Sequence, residues 1–277
     1  MGKDKLKKFA ENKTFRCLVQ PEFDEIFGKD HPLKGRWHAD FFRNDRPIVL
    51  ELGCGKGEYT VARAEADPET LFVGIDVDPI CVMRSAEAAC EAGAGNVVFV
   101  HDEDPDVLEL FGEGELASIL INFPTPFPKK KRAPRRLTYL DRLMKYRLVL
   151  EEGGTVRMRT DSTPFRDFSL TQLELAGYKI EWETDDVRGM FPDEPWSGYE
   201  RKLVAKGAPV VGFCAVPGPA PEHVEQTAPL SLVSYLPEDL ENLDYIPFGM
   251  QGSIDNIVGY NANRRKKGLP DWRPPIV

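Results

Sequence analysis

The sequence predicts a doubly wound α/β domain, a parallel sheet covered by helices on both faces. Two observations carry the prediction. From residue 48 onward, short Val- and Ile-rich runs alternate with segments whose apolar residues recur at helical spacing. The connections between them are short, as repeated β-α-β units require.

The elements follow in order. "IVLELG" (48–53) is a buried-strand run, and "EYTVARAEA" (58–66) is helix-compatible. "LFVGIDV" (71–77) is a second strand. "PICVMRSAEAACEAG" (79–93) is a helix that opens with Pro in its first turn and closes on Gly. "NVVFVHD" (96–102) and "ASILINF" (117–123) are the third and fourth strands. In "YLDRLMKYRLVL" (139–150), Leu140, Leu143, Met144, Arg147 and Leu148 fall at helical spacing and define the inner face. "GGTVRMRTD" (153–161), a helix over 164–176 and "YKIEWETDD" (178–186) continue the series, which gives a domain over 45–216. Residues 1–44 form an N-terminal extension without clear periodicity. Residues 217–277 read as a Pro-rich linker followed by a C-terminal extension, first acidic and then basic at "NRRKKG".

Composition narrows the function. The chain carries 36 Lys and Arg against 45 Asp and Glu, a net charge of −9. "MGKDKLKKFAENK" lacks an apolar stretch after its charges, so no secretory signal is expected. No apolar run approaches the ~20 residues that cross a bilayer. Five scattered cysteines point to reduced thiols and a cytoplasmic location, and four isolated histidines give no metal-ligand spacing.

The first candidate site is the turn after the first strand. "LELGCGKGEYT" places Gly53, Gly55 and Gly57 where a ligand can approach the backbone closely. A dinucleotide fingerprint would need Gly at position 58, which is Glu58. Glu51 precedes the loop, while Asp76 ends the second strand and Asp102 the third. Asp76 stands where a carboxylate can accept from both ribose hydroxyls, and Asp102 where it can reach an exocyclic amine. Carboxylates around a loop without the pyrophosphate fingerprint suit a cofactor with a positive centre and no phosphate, as S-adenosylmethionine is. The competing reading makes the glycines purely structural and Asp76 a helix cap.

The second candidate site is "NFPTPFPKKKRAPRRLT" (122–138). It follows the fourth strand, at the same sheet edge as the glycine loop. Prolines preset φ and hold Asn122 and Thr125 in a stiff turn beside the cofactor. Lys129, Lys130, Lys131, Arg132, Arg135 and Arg136 then follow with no intervening acid. A solvated charged turn is the default reading, but a phosphate backbone is the partner that such a patch fits on an otherwise acidic protein.

On these residues the chain resembles the tRNA (guanine-N7)-methyltransferases, from about Ile48 to Val216. The specific signature is the Asn-Phe-Pro-x-Pro-aromatic-x-Lys turn with its Arg-Arg, followed in order by "TDSTPF" and "SGYERK". The resemblance implies a Rossmann-like class I methyltransferase fold, mostly parallel with an antiparallel last strand. It implies S-adenosylmethionine as cofactor, held by Glu51, Asp76 and Asp102, and tRNA as substrate. Lys129, Asp161 and the Ser197-Gly198-Tyr199-Glu200 segment would meet the RNA, with Asp161 accepting from the guanine N1–H or N2–H₂ edge. The family turn reads Phe-Pro-Asp-Pro-Trp; here Thr125 stands at the position of its catalytic Asp and Phe127 at that of its Trp. Two alternatives stay open at this point: a paralogue with the same fold and another substrate, and a non-catalytic RNA-binding relative.

Overall fold

The computed structural model describes residues 15–20, 29–102 and 105–273, so the readings of 1–14, 21–28, 103–104 and 274–277 lie outside it. The chain forms two compact units. The first runs through Asn122 and includes Lys145–Arg157 and Pro195–Gly198. The second holds Phe123–Met144, Met158–Glu194 and the chain from Tyr199.

The first unit contains β1 (Leu18–Val19), β2 (Ile48–Leu52), β3 (Leu71–Asp76), β4 (Val97–His101), β5 (Leu116–Asn122) and the start of β6 (Leu150–Thr160). The pairs β1–β4, β3–β4, β2–β3 and β2–β5 are parallel. These strands are apolar nearly end to end because both faces are covered: Leu71–Ile75 of β3 and Val97–Val100 of β4 are all buried. Helix α1 (Glu58–Ala66) turns Tyr59, Val61 and Ala64 inward. Helix α2 (Pro79–Ala92) has Asp78 as N-cap, accepting from Ile80 N at 2.8 Å, and ends on Gly93 in the left-handed conformation. Val61, Ala64, Val82, Ala86 and Ala89 pack with Phe72, Val97 and Phe99 in one core. The chain proceeds outward from β2 to β3 and β4, then returns to β5 on the other side of β2. The strand order therefore reverses between β2 and β5, the place where open α/β sheets bind ligands.

Residues 29–44 lack periodicity because long-range partners order them. Glu115 accepts from the N–H groups of Gly35, Trp37 and Gly112 at 2.9, 3.0 and 2.8 Å. Trp37 is fully buried, stacked on His31, and donates through Nε1 to Leu110 O at 2.9 Å.

In the second unit the end of β6 neighbours β8 (Val211–Pro217), which pairs antiparallel with β7 (Tyr178–Thr184). The strand order is β1-β4-β3-β2-β5-β6 in the first unit and β6-β8-β7 in the second. The short helix α3 (Val107–Leu110) belongs to the first unit, and α4 (Leu140–Val149) starts in the second and ends in the first. Helices α5 (Thr163–Leu175) and α6 (Val187–Met190) lie in the second, and α7 (Gly198–Val204) enters it after Gly198. In α4 the buried residues are Leu140, Leu143, Tyr146 and Val149, whereas Leu148 is exposed. The inner face expected from the sequence is thus rotated, because the stripe follows an i, i+3 spacing that starts at Leu140.

The segment read as a linker and tail is packed. Gly218 N donates to Gly177 O at 2.9 Å, and Gln226 and Gln172 exchange side-chain hydrogen bonds. A 3₁₀ turn (Leu232–Tyr235) and helix α8 (Gln251–Lys266), with its N-cap Met250, bury Leu232, Met250 and Ile254 against Phe165 and Phe168 of α5. The apolar residues needed for this are spread over the acidic stretch, which hid them from a periodicity test. The basic end is partly neutralised: Arg265 pairs with Glu241 and Asp271, and Arg273 with Glu238. Among the described residues no helix is long and apolar enough to cross a membrane.

Candidate active site

In the first unit the glycine loop leaves β2 and is pinned at once, as Gly53 N and Cys54 N both donate to Ile75 O, at 2.8 and 3.0 Å. Gly53, Gly55 and Gly57 all have positive φ, 76°, 57° and 70°, so the loop geometry itself demands glycine. Their surroundings differ. A Cβ on Gly53 or Gly55 would meet nothing within 4 Å, so open space lies against that backbone. A Cβ on Gly57 would lie 2.6 Å from Ser85 Cβ and 2.9 Å from the Phe99 ring. Gly57→Ala therefore combines overpacking with left-handed strain, together roughly 2–5 kcal/mol. A urea titration is expected to show a lowered midpoint with an unchanged slope.

Asp76 braces the loop. Its Oδ2 accepts from Gly55 N at 2.8 Å, and its Oδ1 accepts from Asp78 N at 2.9 Å. Asp102 begins just beyond the neighbouring strand end, its N–H donating to Asp76 O at 3.3 Å. The two carboxylates named from the sequence thus stand on adjacent strands. Glu51 is buried: Asn122 Nδ2 donates to its Oε1 at 2.8 Å, and Thr60 Oγ1 donates to its Oε2. It ties the ends of β2 and β5 to α1. Burial, reinforced by Glu51 and Asp76, pushes the Cys54 thiol well above the ordinary range and keeps it un-ionised. Two features escaped the sequence reading. Val77 and Ile80, 55% and 54% exposed, give an apolar surface beside Asp76, and only their exposure distinguishes them from core residues. Thr60 was invisible as a partner of Glu51.

In the second unit the proline turn begins at Phe123. Phe123 and Phe127 have φ of 50° and 42°, rare for aromatic residues, so the turn around exposed Thr125 stores strain. Phe123 N donates to Arg159 O at 2.7 Å. Prolines leave this turn short of N–H donors and rich in carbonyls, and Arg136 supplies the donors. Its Nε reaches Pro126 O at 3.0 Å, and one terminal nitrogen reaches Phe127 O at 2.8 Å and Pro128 O at 3.5 Å. The guanidinium lies 4.2 Å from the Phe168 ring centre. Arg136 is fully buried, and burial lowers its pKa to about 10, still protonated at neutral pH. This corrects its assignment to the RNA surface: the guanidinium is consumed inside the turn.

Lys129, Lys130, Lys131, Arg132 and Arg135 are exposed, most of them on a 3₁₀ helix (Lys130–Arg135), and none has an ion-pair partner among the described residues. Asp161, at the end of β6, is 8% exposed and accepts from the Tyr245 hydroxyl at 2.6 Å. Tyr199 is exposed and meets Phe123 edge-on, with ring centres 5.9 Å apart. Ser197 is half-buried, and Gly198 N donates to Glu58 of its own unit. Glu200 is a second correction. It is fully buried and held by two donors, Nε and one terminal nitrogen, on one edge of the Arg188 guanidinium, within a cluster that also contains Arg159 and Glu194. A carboxylate so paired is a structural ion and not a group that faces substrate.

A parallel sheet that reverses order at a glycine loop, with carboxylates ending the next two strands, and an antiparallel pair of strands in the second unit define the Rossmann-like methyltransferase class. The family described as "Putative methyltransferase" matches residues 45–213. A tRNA (guanine-N(7)-)-methyltransferase of Christiangramia forsetii is 37% identical over 214 residues, 76% of this chain and 96% of its own length. The enzyme of that name from Geobacillus thermodenitrificans is 35% identical, covering 63% of this chain and 81% of its own. The chain belongs to the tRNA (guanine-N7)-methyltransferase family. Among solved structures, the 16S rRNA methyltransferase KamB superposes with a TM-score of 0.51 at 14% identity, over 67% of this chain and 95% of its own, a likeness of fold.

Proposed function

We propose that this chain moves a methyl group from S-adenosylmethionine to N7 of a guanine in the variable loop of tRNA. The observation that carries the reading is the open space against Gly53 and Gly55, beside Asp76, in a chain of this family. The cofactor supplies an electrophilic methyl group on a positively charged sulfur. Each Asp76 oxygen uses one lone pair on an amide and keeps another for a ribose hydroxyl. Asp102 accepts from the adenine amine, and Val77 and Ile80 cover the adenine face. Glu51, fixed by Thr60 and Asn122, contributes negative charge toward the cationic end of the cofactor. The hydroxyl of Thr125 takes the place of the family carboxylate in the strained turn.

Guanine N7 carries a lone pair in the major-groove edge and needs no deprotonation. The protein's task is alignment and electrostatic support. Lys129, Arg132 and Arg135, with Lys130 and Lys131, hold phosphates. A variable-loop guanine has to leave its tertiary contacts, at a cost of about a few kcal/mol, and the Tyr199 and Phe123 rings offer it a stacking surface. Asp161 accepts from its N1–H and N2–H₂ groups, and Ser197 and Gly198 line the RNA side. Residues 45–216 form the transferase, with 1–44 and 217–277 as additions to it, and the free thiols and tRNA substrate fit the cytoplasm.

The test is transfer of labelled methyl to unmodified tRNA transcripts, followed by nucleoside analysis. Label in 7-methylguanosine is expected, and Asp76→Ala is expected to lose cofactor binding by calorimetry. Wild-type protein that binds S-adenosylmethionine yet labels no tRNA guanine would sink the reading.

A further inference from the structure

Tyr245 lies beyond residue 213, where the family match ends, yet it reaches a residue at the heart of the second unit. Its hydroxyl donates to Asp161 Oδ2 at 2.6 Å. The contact is built. Leu243 and Ile246 flank Tyr245 in sequence and pack on the cluster of Phe165, Phe168, Leu232, Met250 and Ile254. The phenol is therefore aimed by a core that the C-terminal segment shares with α5. Asp161 and Tyr245 also border a cavity of about 410 Å³, which Thr163, Asp167, Leu236 and Leu243 help to line. Burial first, and Asp161 next, push the Tyr245 phenol far above its ordinary pKa, so it remains a donor at any working pH. Tyr199 feels the same carboxylate, and its ring meets Phe123.

Hydrogen-bond chemistry gives the arrangement a direction. An ionised carboxylate only accepts, and a phenol facing it can only donate. Tyr245 thus fixes the rotation of the Asp161 carboxylate and takes one lone pair of Oδ2, which leaves Oδ1 and the second lone pair of Oδ2 to other donors. A carboxylate held in this way, with two aromatic rings nearby, suits a purine edge that offers two N–H groups in one plane.

We propose that Tyr245 is a specificity-determining positioning residue, which orients Asp161 onto the N1–H and N2–H₂ edge of the target guanine. The proposal rests on the function proposed above and adds the C-terminal segment to the substrate site. A structural tether is the rival explanation, and specificity separates the two.

The experiment compares wild type, Tyr245→Phe and Asp161→Asn on two tRNA transcripts. One carries guanine at the methylated position and the other inosine, which keeps N1–H and N7 but lacks the amine. Wild type is expected to favour guanine about tenfold to a hundredfold in kcat/KM, the scale of a bidentate base contact. Tyr245→Phe is expected to bring that ratio to within about threefold of unity, because guanine loses two contacts to Asp161 where inosine loses one, with cofactor affinity and circular dichroism retained. Asp161→Asn is expected to erase the ratio as well. If Tyr245→Phe lowers both transcripts equally, or changes neither, the phenol is a tether and the proposal fails. Wild type that methylates both transcripts equally overturns the proposal but leaves the enzyme assignment standing. Wild type that methylates no tRNA overturns both.

Discussion

Replacing Arg136 by Met is expected to lower the thermal midpoint by roughly 6–12 °C and to remove most methyl transfer, without changing the salt dependence of tRNA binding. The argument begins with the prolines. Pro124, Pro126 and Pro128 bring carbonyls but no N–H groups, so the turn cannot satisfy itself. Arg136 satisfies the carbonyls of Pro126, Phe127 and Pro128 from within the core. Methionine keeps the volume of the stem and leaves those carbonyls without donors, at about 1–3 kcal/mol for each that stays buried. The lost stacking on Phe168 adds about 2 kcal/mol. Relief of a desolvated cation with no carboxylate paired to it among the described residues offsets part of this. The net loss is then roughly 3 kcal/mol.

Activity suffers more than stability, because Phe123 and Phe127 hold positive φ only while the turn is over-determined. Once the carbonyls are released, the two residues relax toward ordinary backbone and Thr125 leaves its place. Arg136→Lys is expected to recover only part of the loss, since one ammonium cannot match the planar fork that spans successive carbonyls. Differential scanning calorimetry and single-turnover methylation measure the two effects. A salt slope that falls with Arg136→Met would show that the guanidinium reaches phosphate after all and return it to the RNA surface.

Arg136 also shows where sequence reading stops. Six positive charges within eight residues look equivalent as letters, and five of them are exposed as expected. The sixth is turned inward because a proline turn needs donors, a requirement visible only once the carbonyls have positions. Glu200 repeats the lesson, since its partner Arg188 lies twelve residues upstream and looks like surface charge. The parallel strands were legible because burial on both faces writes continuous Val and Ile runs into β2, β3, β4 and β5. Asp76 and Asp102 were legible for a related reason, as each is the first charge after such a run. The C-terminal segment was not. Leu232, Met250 and Ile254 contact α5 at irregular spacing, and no local period reports a partner some eighty residues away.

The exposed charges make the opposite prediction. Converting Lys129, Lys130, Lys131 and Arg132 together to Gln is expected to leave stability within about 0.5 kcal/mol, as exposed and unpaired side chains should. It is expected to reduce the slope of log K against log salt for tRNA by about 3, taking ~0.7 counterions released per phosphate contact. The deficit relative to wild type is then greatest at low salt and shrinks by roughly 60-fold between 50 and 200 mM. The net charge of −9 sharpens the effect, because the rest of the surface repels the RNA and the turn is its entry point. The basic end of α8 provides the control. Arg265 is held by Asp271 and Glu241, both of which keep its pKa raised. A phosphate would have to displace partners already in place, so Arg265→Gln is expected to change the slope by well under one contact, less than about 0.7. Equal slope changes from both variants would show that the RNA footprint extends onto the C-terminal helix. A change confined to the turn makes the proline-framed segment the main phosphate clamp of this enzyme.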